Sequence, residues 1–365
     1  MVARRWVFAV WLLLSATGLA VTCMHHRGSA ASHAAVADGG AAPDADVPDG
    51  DDATPPVPDV GPPDAAPDAD VPDGYDGSRI CSADRWCWFN PLPQRYSLGG
   101  VWGSGPNDVW AVGARGTILR WDGGAWSSVW SGTTMDLLGV WGNGPNDVWA
   151  VGELGTILRW NGRAWSSVSS GTTEDLLRVW GSGPNDVWAV GWGGTILRWD
   201  GRAWSTVETG ATENLWDVEN LWDVWGSGPN DVWAVGARGT ILWWSGKAWS
   251  SVSSGTGYDL HGVWGSGPND VWAVGWGGTM LRWSGKAWSS VVSGTGYEFL
   301  GVWGSGPNDV WAVGEFGTIL RWDGGAWSTV ESGTTEDLWG VWGSGPNDVW
   351  AVGTGGAILR WNGSD

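Results

Sequence analysis

An acidic stretch near the start of the chain has the residue types of a calcium site. Aspartates stand at nearly alternating positions from Asp44 to Asp52, and carboxylates at such spacing can ligate calcium. The glutamate that supplies a two-oxygen ligand at the end of a helix-loop-helix calcium loop is missing, however. Residues 34–77 are almost entirely Ala, Asp, Pro, Gly and Val, a composition that cannot bury enough apolar surface to fold. We therefore predict a disordered acidic linker over residues 24–78, with calcium binding as the alternative, and we expect no metal site or cofactor elsewhere.

Two cysteines follow this linker. Cys81 and Cys87 have five residues between them, and in an exported protein such a pair most simply forms a disulfide. A metal site would need further ligands, and His25, His26 and His33 lie across the acidic stretch. The pattern therefore predicts a disulfide.

The first 23 residues have the pattern of an export signal. Arg4 and Arg5 precede an apolar run over residues 6–20, as in secretory signals. Three fates are open: cleavage after the small residues of the run, retention of residues 6–24 as a membrane anchor, or lipidation of Cys23, whose position resembles that of the modified cysteine in bacterial lipoproteins. The sequence thus predicts an exported bacterial protein, in the periplasm or at the outer membrane or cell surface. We expect it to meet a membrane only through this segment.

The rest of the chain repeats one motif, which must position every other candidate side chain. Residues 101–113 read Val-Trp-Gly-Ser-Gly-Pro-Asn-Asp-Val-Trp-Ala-Val-Gly. The motif returns with a step of 39 residues, except for one step of 45 that contains a tandem duplication, residues 213–218 and 219–224. A period near 40 is typical of blades, solenoids or arrays. The seven copies begin at Val101, Val140, Val179, Val224, Val263, Val302 and Val341.

Each copy predicts four short strands. In the second copy, apolar runs at residues 138–142, 148–151, 156–160 and 164–168 are separated by turns rich in Gly, Pro and Asn. The runs are nearly continuous in apolar residues, as expected when both faces of a sheet are covered. Four antiparallel strands in about 40 residues make one propeller blade. We therefore predict an all-β fold, a seven-bladed β-propeller over residues 79–365.

The seventh copy stops before its fourth strand, and a segment upstream of the first copy can supply one. Trp88 lies 13 residues before Val101, much as Trp126 lies 14 residues before Val140. An N-terminal strand at Trp88 is therefore predicted to complete the seventh blade and to close the ring. A solenoid would instead have atypical capping repeats at both ends.

One repeat carries a family resemblance. Residues 109–126, which read Val-Trp-Ala-Val-Gly-x-x-Gly-Thr-Ile-Leu-Arg-Trp-Asp-Gly-Gly-Ala-Trp, resemble the blade consensus of the BNR/Asp-box propellers, in particular the photosystem II assembly-factor branch. They look still more like tryptophan-rich repeat proteins predicted on myxobacterial cell surfaces. The resemblance covers residues 81–365 and implies a propeller in a surface setting. It departs from the Asp-box in the spacing from Asp122 to Trp126, which is one residue short, and it implies no photosynthetic partner.

That resemblance also raises a sialidase-like hydrolase as an alternative. Such an enzyme gathers three arginines, a tyrosine nucleophile and an acid at one point. The arginines here are equivalent from copy to copy, and equivalent residues around a ring do not converge on one point. Tyr258 and Tyr297 are likewise equivalent, so we predict that the protein is not an enzyme. The equivalent arginines are Arg120, Arg159, Arg198, Arg282, Arg321 and Arg360.

The repeated tryptophans and aspartates have structural interpretations. The sequence contains 38 tryptophans, and rings at fixed strand positions are expected to pack between blades rather than to stack on sugars. Asp108 recurs in every copy without a second recurring ligand. We therefore expect it to stabilise a turn rather than to bind a metal.

The residues that differ between copies are the candidates for binding. The pair after each Ala-Val-Gly varies, and exposed apolar residues on a loop face indicate contact with a partner; drift at tolerant positions is the alternative. A second variable band, which includes Met135, Tyr258 and Tyr297, lies in the connections between copies. The candidate binding residues are Arg115, Glu153, Leu154, Trp192, Arg238, Trp276, Glu315 and Phe316.

The charge of the chain limits its partners. A net charge of −20 argues against nucleic acid and against anionic membrane surfaces, since both bind clustered cations. We expect a monomeric, surface-tethered, non-enzymatic propeller that binds a protein or a carbohydrate. A purely structural envelope protein is the other alternative.

Overall fold

The computed structural model describes residues 81–89, 96–208 and 220–363. The export signal with Cys23, the acidic linker and most of the duplicated segment lie outside the described residues, so the statements about them stay predictions. Within the described ranges, no helix is both long and apolar enough to cross a bilayer.

The described chain forms 28 short strands. In the second copy the strands lie within two residues of the predicted apolar runs. The strands, grouped by blade, are β1 (Trp86–Trp88); β2 (Leu98–Gly105), β3 (Asp108–Gly113), β4 (Thr117–Trp121) and β5 (Trp126–Ser128) in blade 1; β6 (Leu137–Gly144), β7 (Asp147–Gly152), β8 (Ile157–Trp160) and β9 (Trp165–Ser167) in blade 2; β10 (Leu176–Gly183), β11 (Asp186–Gly191), β12 (Ile196–Trp199) and β13 (Trp204–Thr206) in blade 3; β14 (Leu221–Gly228), β15 (Asp231–Gly236), β16 (Ile241–Trp244) and β17 (Trp249–Ser251) in blade 4; β18 (Leu260–Gly267), β19 (Asp270–Gly275), β20 (Thr279–Trp283) and β21 (Trp288–Ser290) in blade 5; β22 (Phe299–Gly306), β23 (Asp309–Gly314), β24 (Ile319–Trp322) and β25 (Trp327–Val330) in blade 6; and β26 (Leu338–Gly345), β27 (Asp348–Gly353) and β28 (Ile358–Trp361) in blade 7. Single 3-10 turns follow the second strands at Ala114–Gly116, Glu153–Gly155, Ala237–Gly239, Trp276–Gly278, Glu315–Gly317 and Thr354–Gly356.

Each blade is a four-stranded antiparallel sheet, and in blades 1 to 6 the strands are arranged in chain order from the centre of the ring outwards. The innermost strands of consecutive blades lie side by side, and β2 of blade 1 lies beside β26 of blade 7 as well as beside β6 of blade 2. The seven blades therefore form a closed ring. This confirms the predicted all-β, seven-bladed propeller.

Blade 7 takes its outermost strand from the beginning of the described chain. β1 pairs with β28, and Trp86 lies opposite Trp361, as Trp126 lies opposite Trp121 in blade 1. Trp86, and not Trp88, is therefore the equivalent of Trp126, so the alignment drawn from the sequence was wrong by two residues. Residues two positions apart in a strand point to the same face of the sheet. The spacing in the sequence therefore did not distinguish Trp86 from Trp88.

The residues before β1 are held against blade 6. A disulfide joins Cys81 to Cys87. The Ser82 hydroxyl donates a hydrogen bond to the carbonyl oxygen of Glu331, and the Glu331 amide donates to the Asp84 carboxylate at 2.6 Å. The start of the described chain is thus attached to two blades, by sheet pairing in blade 7 and by these bonds to blade 6.

The hydrophobic core of the described chain is divided into seven clusters, each formed between neighbouring blades. Between blades 1 and 2, the fully buried Trp110 packs against Trp160 at a ring-centroid distance of 5.1 Å and against Trp165 at 5.4 Å. Trp102 lies over Gly142 of the next blade, where a Cβ atom would come within 2.6 Å of the indole ring. The repeated tryptophans therefore hold the blades together.

The repeated aspartates and arginines lie on the face of the ring that carries the Pro-Asn turns, which we call the hairpin face. Asp108 accepts hydrogen bonds from Ser104 at 2.6 Å and from the Arg120 guanidinium at 2.7 Å. In blade 4 a tryptophan replaces the arginine, and the Trp243 indole N–H donates to Asp231. These residues stabilise turns within each blade, and the arginines do not converge on a common point.

Candidate functional site

The variable residues lie together on the opposite face of the ring, which we call the turn face. It carries the turns between the second and third strands of each blade and the connections that enter each innermost strand. Because neighbouring strands of a blade are antiparallel, both kinds of segment lie at the same end of the strands. The turns are residues 114–116, 153–155, 192–194, 237–239, 276–278, 315–317 and 354–356.

Hydrogen bonds join the turns to the connections beside them. In blade 1 the Ala114 amide donates to the Ser97 carbonyl oxygen at 2.9 Å, within the same blade. The Arg115 amide donates to the Asp136 carboxylate at 2.8 Å, in the connection that enters blade 2. The two variable bands that the sequence suggested separately therefore form one surface.

The second residue of each turn has a left-handed backbone. Three blades have glycine there, with φ between +61° and +63°, and glycine adopts this conformation without steric cost. The other four blades have a residue with a side chain, and its φ lies between +52° and +56°. A left-handed backbone costs such a residue roughly 1–2 kcal/mol, so the chain keeps these side chains at a conformational cost. They are Arg115, Leu154, Arg238 and Phe316.

Replacing one of these residues by glycine should remove the steric cost of the left-handed backbone, roughly 1–2 kcal/mol. Glycine also lowers stability by roughly 0.5–1 kcal/mol, because the unfolded chain gains conformational freedom. We therefore expect Leu154→Gly to raise the free energy of unfolding by up to about 1 kcal/mol. The reverse change, Gly277→Leu, should lower it by about 1 kcal/mol, since no atom lies within 4 Å of the Cβ position and only the backbone is affected. Urea unfolding of the two variants measures both effects. A Leu154→Gly variant less stable than the original chain would show that the turn is not strained.

The eight candidate binding residues all lie in these turns, with different exposures. The side chains of Leu154, Phe316 and Trp276 are 57%, 55% and 47% exposed. The other exposed members are Arg115 and Arg238. The half-buried members are Glu153, Trp192 and Glu315. Trp192 therefore offers less surface to a partner than its equivalent Trp276, and the binding role of the whole set stays a prediction.

Two tyrosines complete aromatic pairs on this face. Tyr258 packs against Trp276 with ring centroids 5.0 Å apart, and Tyr297 packs against Phe316 at 5.6 Å. Both tyrosines are about half exposed. The sequence placed them only in the second variable band; their recurrence at equivalent positions of consecutive copies was the signal that could have joined them to the candidate site. Blades 5 and 6 thus each present an aromatic pair.

Carboxylates lie beside these aromatic pairs. Glu298 lies 2.6 Å from Nε2 of His261, and the Glu298 amide donates to the Glu315 carboxylate at 3.1 Å. Burial raises the pKa of Glu315, and the charges of Glu298 and Asp337 act in the same direction. The turn face thus carries three neighbouring acidic side chains at blades 6 and 7, Glu298, Glu315 and Asp337.

Two charged residues face the central channel, and we call them the axis pair. Arg178 of β10 and Asp223 of β14 stand where the other five blades have glycine. The Arg178 guanidinium donates to the carbonyl oxygens of Leu138 at 2.8 Å, of Leu177 at 3.0 Å and of Trp339 at 3.4 Å. It therefore links blades 2, 3 and 7 across the channel. The equivalent glycines are Gly100, Gly139, Gly262, Gly301 and Gly340.

Asp223 stabilises two neighbouring innermost strands. Its carboxylate accepts hydrogen bonds from the amides of Val224 at 2.8 Å and Val263 at 2.9 Å. Burial raises the pKa of Asp223 to about 6, against the opposing effect of the Arg178 charge. The polar side-chain atoms of the axis pair thus form hydrogen bonds with the backbone of the innermost strands. Sequence reasoning missed it, although a charged residue at a position that is otherwise glycine was a readable signal.

Comparison with known proteins identifies the fold. No protein-family model and no curated protein matches this chain. Among solved structures, YCF48 from Cyanidioschyzon merolae is 21% identical, with a TM-score of 0.63 over 76% of this chain and 98% of that chain. YCF48 bound to D1 peptide is 21% identical, with a TM-score of 0.61 over 75% of this chain and 94% of that chain. The WD40 β-propeller domain of Doa1 is 13% identical, with a TM-score of 0.65 over 77% of this chain and 97% of that chain. At these identities the similarity shows the propeller fold.

Proposed function

We propose that this chain is an exported, non-enzymatic binding module that engages a protein partner through the turn face. The observation that carries the proposal is the set of four exposed side chains, including Leu154 and Phe316, held in a left-handed backbone where other blades use glycine. Backbone strain that persists at exposed positions is typical of functional sites. The side chains held there, together with Trp276, provide the apolar contacts of the module.

The residue types of the turn face favour a protein over a carbohydrate. Aromatic residues and arginine are enriched in protein interfaces, and the face presents Tyr258, Trp276, Tyr297, Phe316 and Arg115. The rings pack against each other, tilted in one pair and edge to face in the other, instead of forming the open flat platform that a sugar ring would stack on. One propeller of the same fold, YCF48, has been solved with D1 peptide bound.

The N-terminal segments support a tethered setting. Residues 1–23 have the pattern of an export signal, and Cys23 is the position at which a lipid would be attached. The Pro- and Asp-rich composition of residues 34–77 is that expected of a stiff, self-repelling spacer. In this proposal the spacer holds the ring away from the membrane. The repeated arginines are paired with aspartates inside the blades, which supports a function without catalysis.

The proposal is tested by selecting binders from a random peptide library against the immobilised full chain. We expect selected peptides to lose about tenfold or more in affinity for a chain with Leu154→Gly, Trp276→Ala and Phe316→Gly, because each change removes a turn-face side chain. Each new residue stands at an equivalent position of another blade, so the fold should persist. The hairpin-face variant Lys286→Gly, matched by Gly325, should bind as the original chain does.

Three outcomes would contradict the proposed function. Peptides that bind the triple variant as well as the original chain would place the interaction elsewhere. Binding on a glycan array that disappears in the triple variant, without any peptide binding, would identify a carbohydrate module. Turnover of aryl-glycosides by the purified chain would show a hydrolase.

A further inference from the structure

A groove on the turn face crosses the outer part of blade 6. Its volume is about 920 Å³, and we call it the blade 6 groove. The side chains that give it chemical character are Tyr297, Phe316, Trp88, Glu331 and Glu336. Grooves of this size are large enough to take several side chains of a bound polypeptide.

The apolar part of the groove is held in place by contacts between rings. Tyr297 and Phe316 pack edge to face and remain 51% and 55% exposed. The Trp88 indole N–H donates to the carbonyl oxygen of Gly333 at 3.4 Å. Large apolar side chains that are both fixed and exposed are the anchors of interfaces, because little side-chain entropy is lost when a partner covers them.

The charge around these rings is negative. Glu331 and Glu336 line the groove, and Glu298, Glu315 and Asp337 lie in the adjoining turn and connections. Burial raises the pKa of Glu315, and the charges of Glu298 and Asp337 raise it further. A cationic group in a partner would relieve the repulsion between these charges, whereas an anionic group would add to it.

The same chain contains an equivalent groove with a different lining. On blade 2 a groove of about 690 Å³ is lined by Leu154 and Ser169, which stand where blade 6 has Phe316 and Glu331. Met135 likewise stands where blade 6 has Tyr297. The fold therefore forms this groove in blade 2 without an aromatic pair and without the acid that blade 6 has at Glu331. The aromatic and acidic lining is thus specific to blade 6 in this comparison and is not required to form the groove.

We propose that the blade 6 groove binds a polypeptide segment in which apolar residues alternate with lysine or arginine. The apolar residues pack on Tyr297 and Phe316, and the cations pair with Glu331, Glu336 and their neighbours. The inference rests on the proposed function, since it places the partner on the same face, and it adds the location and the charge of the segment.

The experiment compares two short synthetic peptides, one in which leucine alternates with lysine and one in which leucine alternates with glutamate. Fluorescence anisotropy with the full chain should show at least about tenfold tighter binding of the lysine peptide at low salt, with affinity that falls as salt is added. The double variant Phe316→Leu and Glu331→Ser gives blade 6 the residues of blade 2, and it should weaken the lysine peptide by about tenfold.

A matched variant separates groove binding from general attraction to an acidic protein. Asp323→Asn removes one charge from the hairpin face of the same blade and keeps its turn, because Asn161 accepts the same hydrogen bonds in blade 2. It should leave the affinity for the lysine peptide unchanged. Equal losses in Asp323→Asn and in the double variant would overturn the inference.

The outcomes also separate this inference from the proposed function. Library peptides that need the turn face but bind regardless of their charge, and regardless of Phe316 and Glu331, would overturn the blade 6 proposal and leave the binding module standing. If neither the library nor the lysine peptide yields binding to the turn face, both proposals fail.

Discussion

Replacing Trp86 by alanine should lower the free energy of unfolding by about 3–5 kcal/mol. Trp86 is fully buried and packs edge to face on Trp311 at a centroid distance of 5.6 Å, in the core between blades 6 and 7. It is also the residue of β1 that lies opposite Trp361. The substitution therefore removes both a large core side chain and the anchor of the strand that completes blade 7. Urea unfolding followed by tryptophan fluorescence gives the magnitude.

Trp88 provides the matched control for this prediction. It lies opposite Leu359 in β28, as Ser128 lies opposite Leu119 in blade 1, so Trp88→Ser gives β1 a residue that the fold accepts at that position. We expect a loss below about 1 kcal/mol, because the side chain is only half-buried. Amide hydrogen exchange in β28 should accelerate in the Trp86 variant and not in the Trp88 variant. Equal losses of stability in the two variants would contradict the observed register.

Asp223 should make the ring less stable as the pH rises from about 4 to about 7. Its pKa is about 6 in the folded chain, against the ordinary aspartate value of 3.8, so the folded state binds this proton more tightly than the unfolded state. The resulting stabilisation is complete below pH 3.8 and is lost as the pH rises through about 6. A shift of this size corresponds to roughly 3 kcal/mol.

The measurement is the difference in unfolding free energy between the original chain and Asp223→Gly as a function of pH. Glycine stands at this position in five other blades, so the variant removes the titrating group and keeps a residue that the innermost strand accepts. We expect the pH dependence between 4 and 7 to be smaller in the variant. Arg178→Gly should shift the midpoint of this pH dependence to higher pH, since the Arg178 charge lowers the pKa of Asp223. Parallel pH profiles for all three chains would show that Asp223 does not titrate in this range.

Repetition made the architecture predictable from the sequence. Seven copies of one motif at a nearly constant step specify seven equivalent blades, because each copy can bury its strands only against its neighbours. The same repetition explains why the tryptophans were correctly assigned to packing and Asp108 to a turn. Residues that recur in every copy are those that every blade needs.

Features that occur once were harder to predict. The register of β1 depends on which tryptophan fills the space beside Trp311, and Trp86 and Trp88 project from the same side of the strand. The contact between Tyr297 and Phe316 joins two segments separated by the strands of a blade, so their proximity follows from the closed sheet and not from spacing. The axis pair acts through atoms of other blades, such as the Trp339 carbonyl oxygen.

The pairing of β1 with β28 also bears on how rings could become linked to each other. The third strand of every blade ends in Trp, and in six blades it is covered by an outer strand only a few residues further along the chain. β28 alone among the described strands of this type receives its cover from the other end of the repeats. If β1 detaches, the free edge of β28 can accept the β1 of a second copy just as well. Attachment within one chain gives β1 an effective concentration on the order of millimolar. The single ring therefore predominates in dilute solution. Strand exchange between rings becomes significant only when the protein concentration approaches this value.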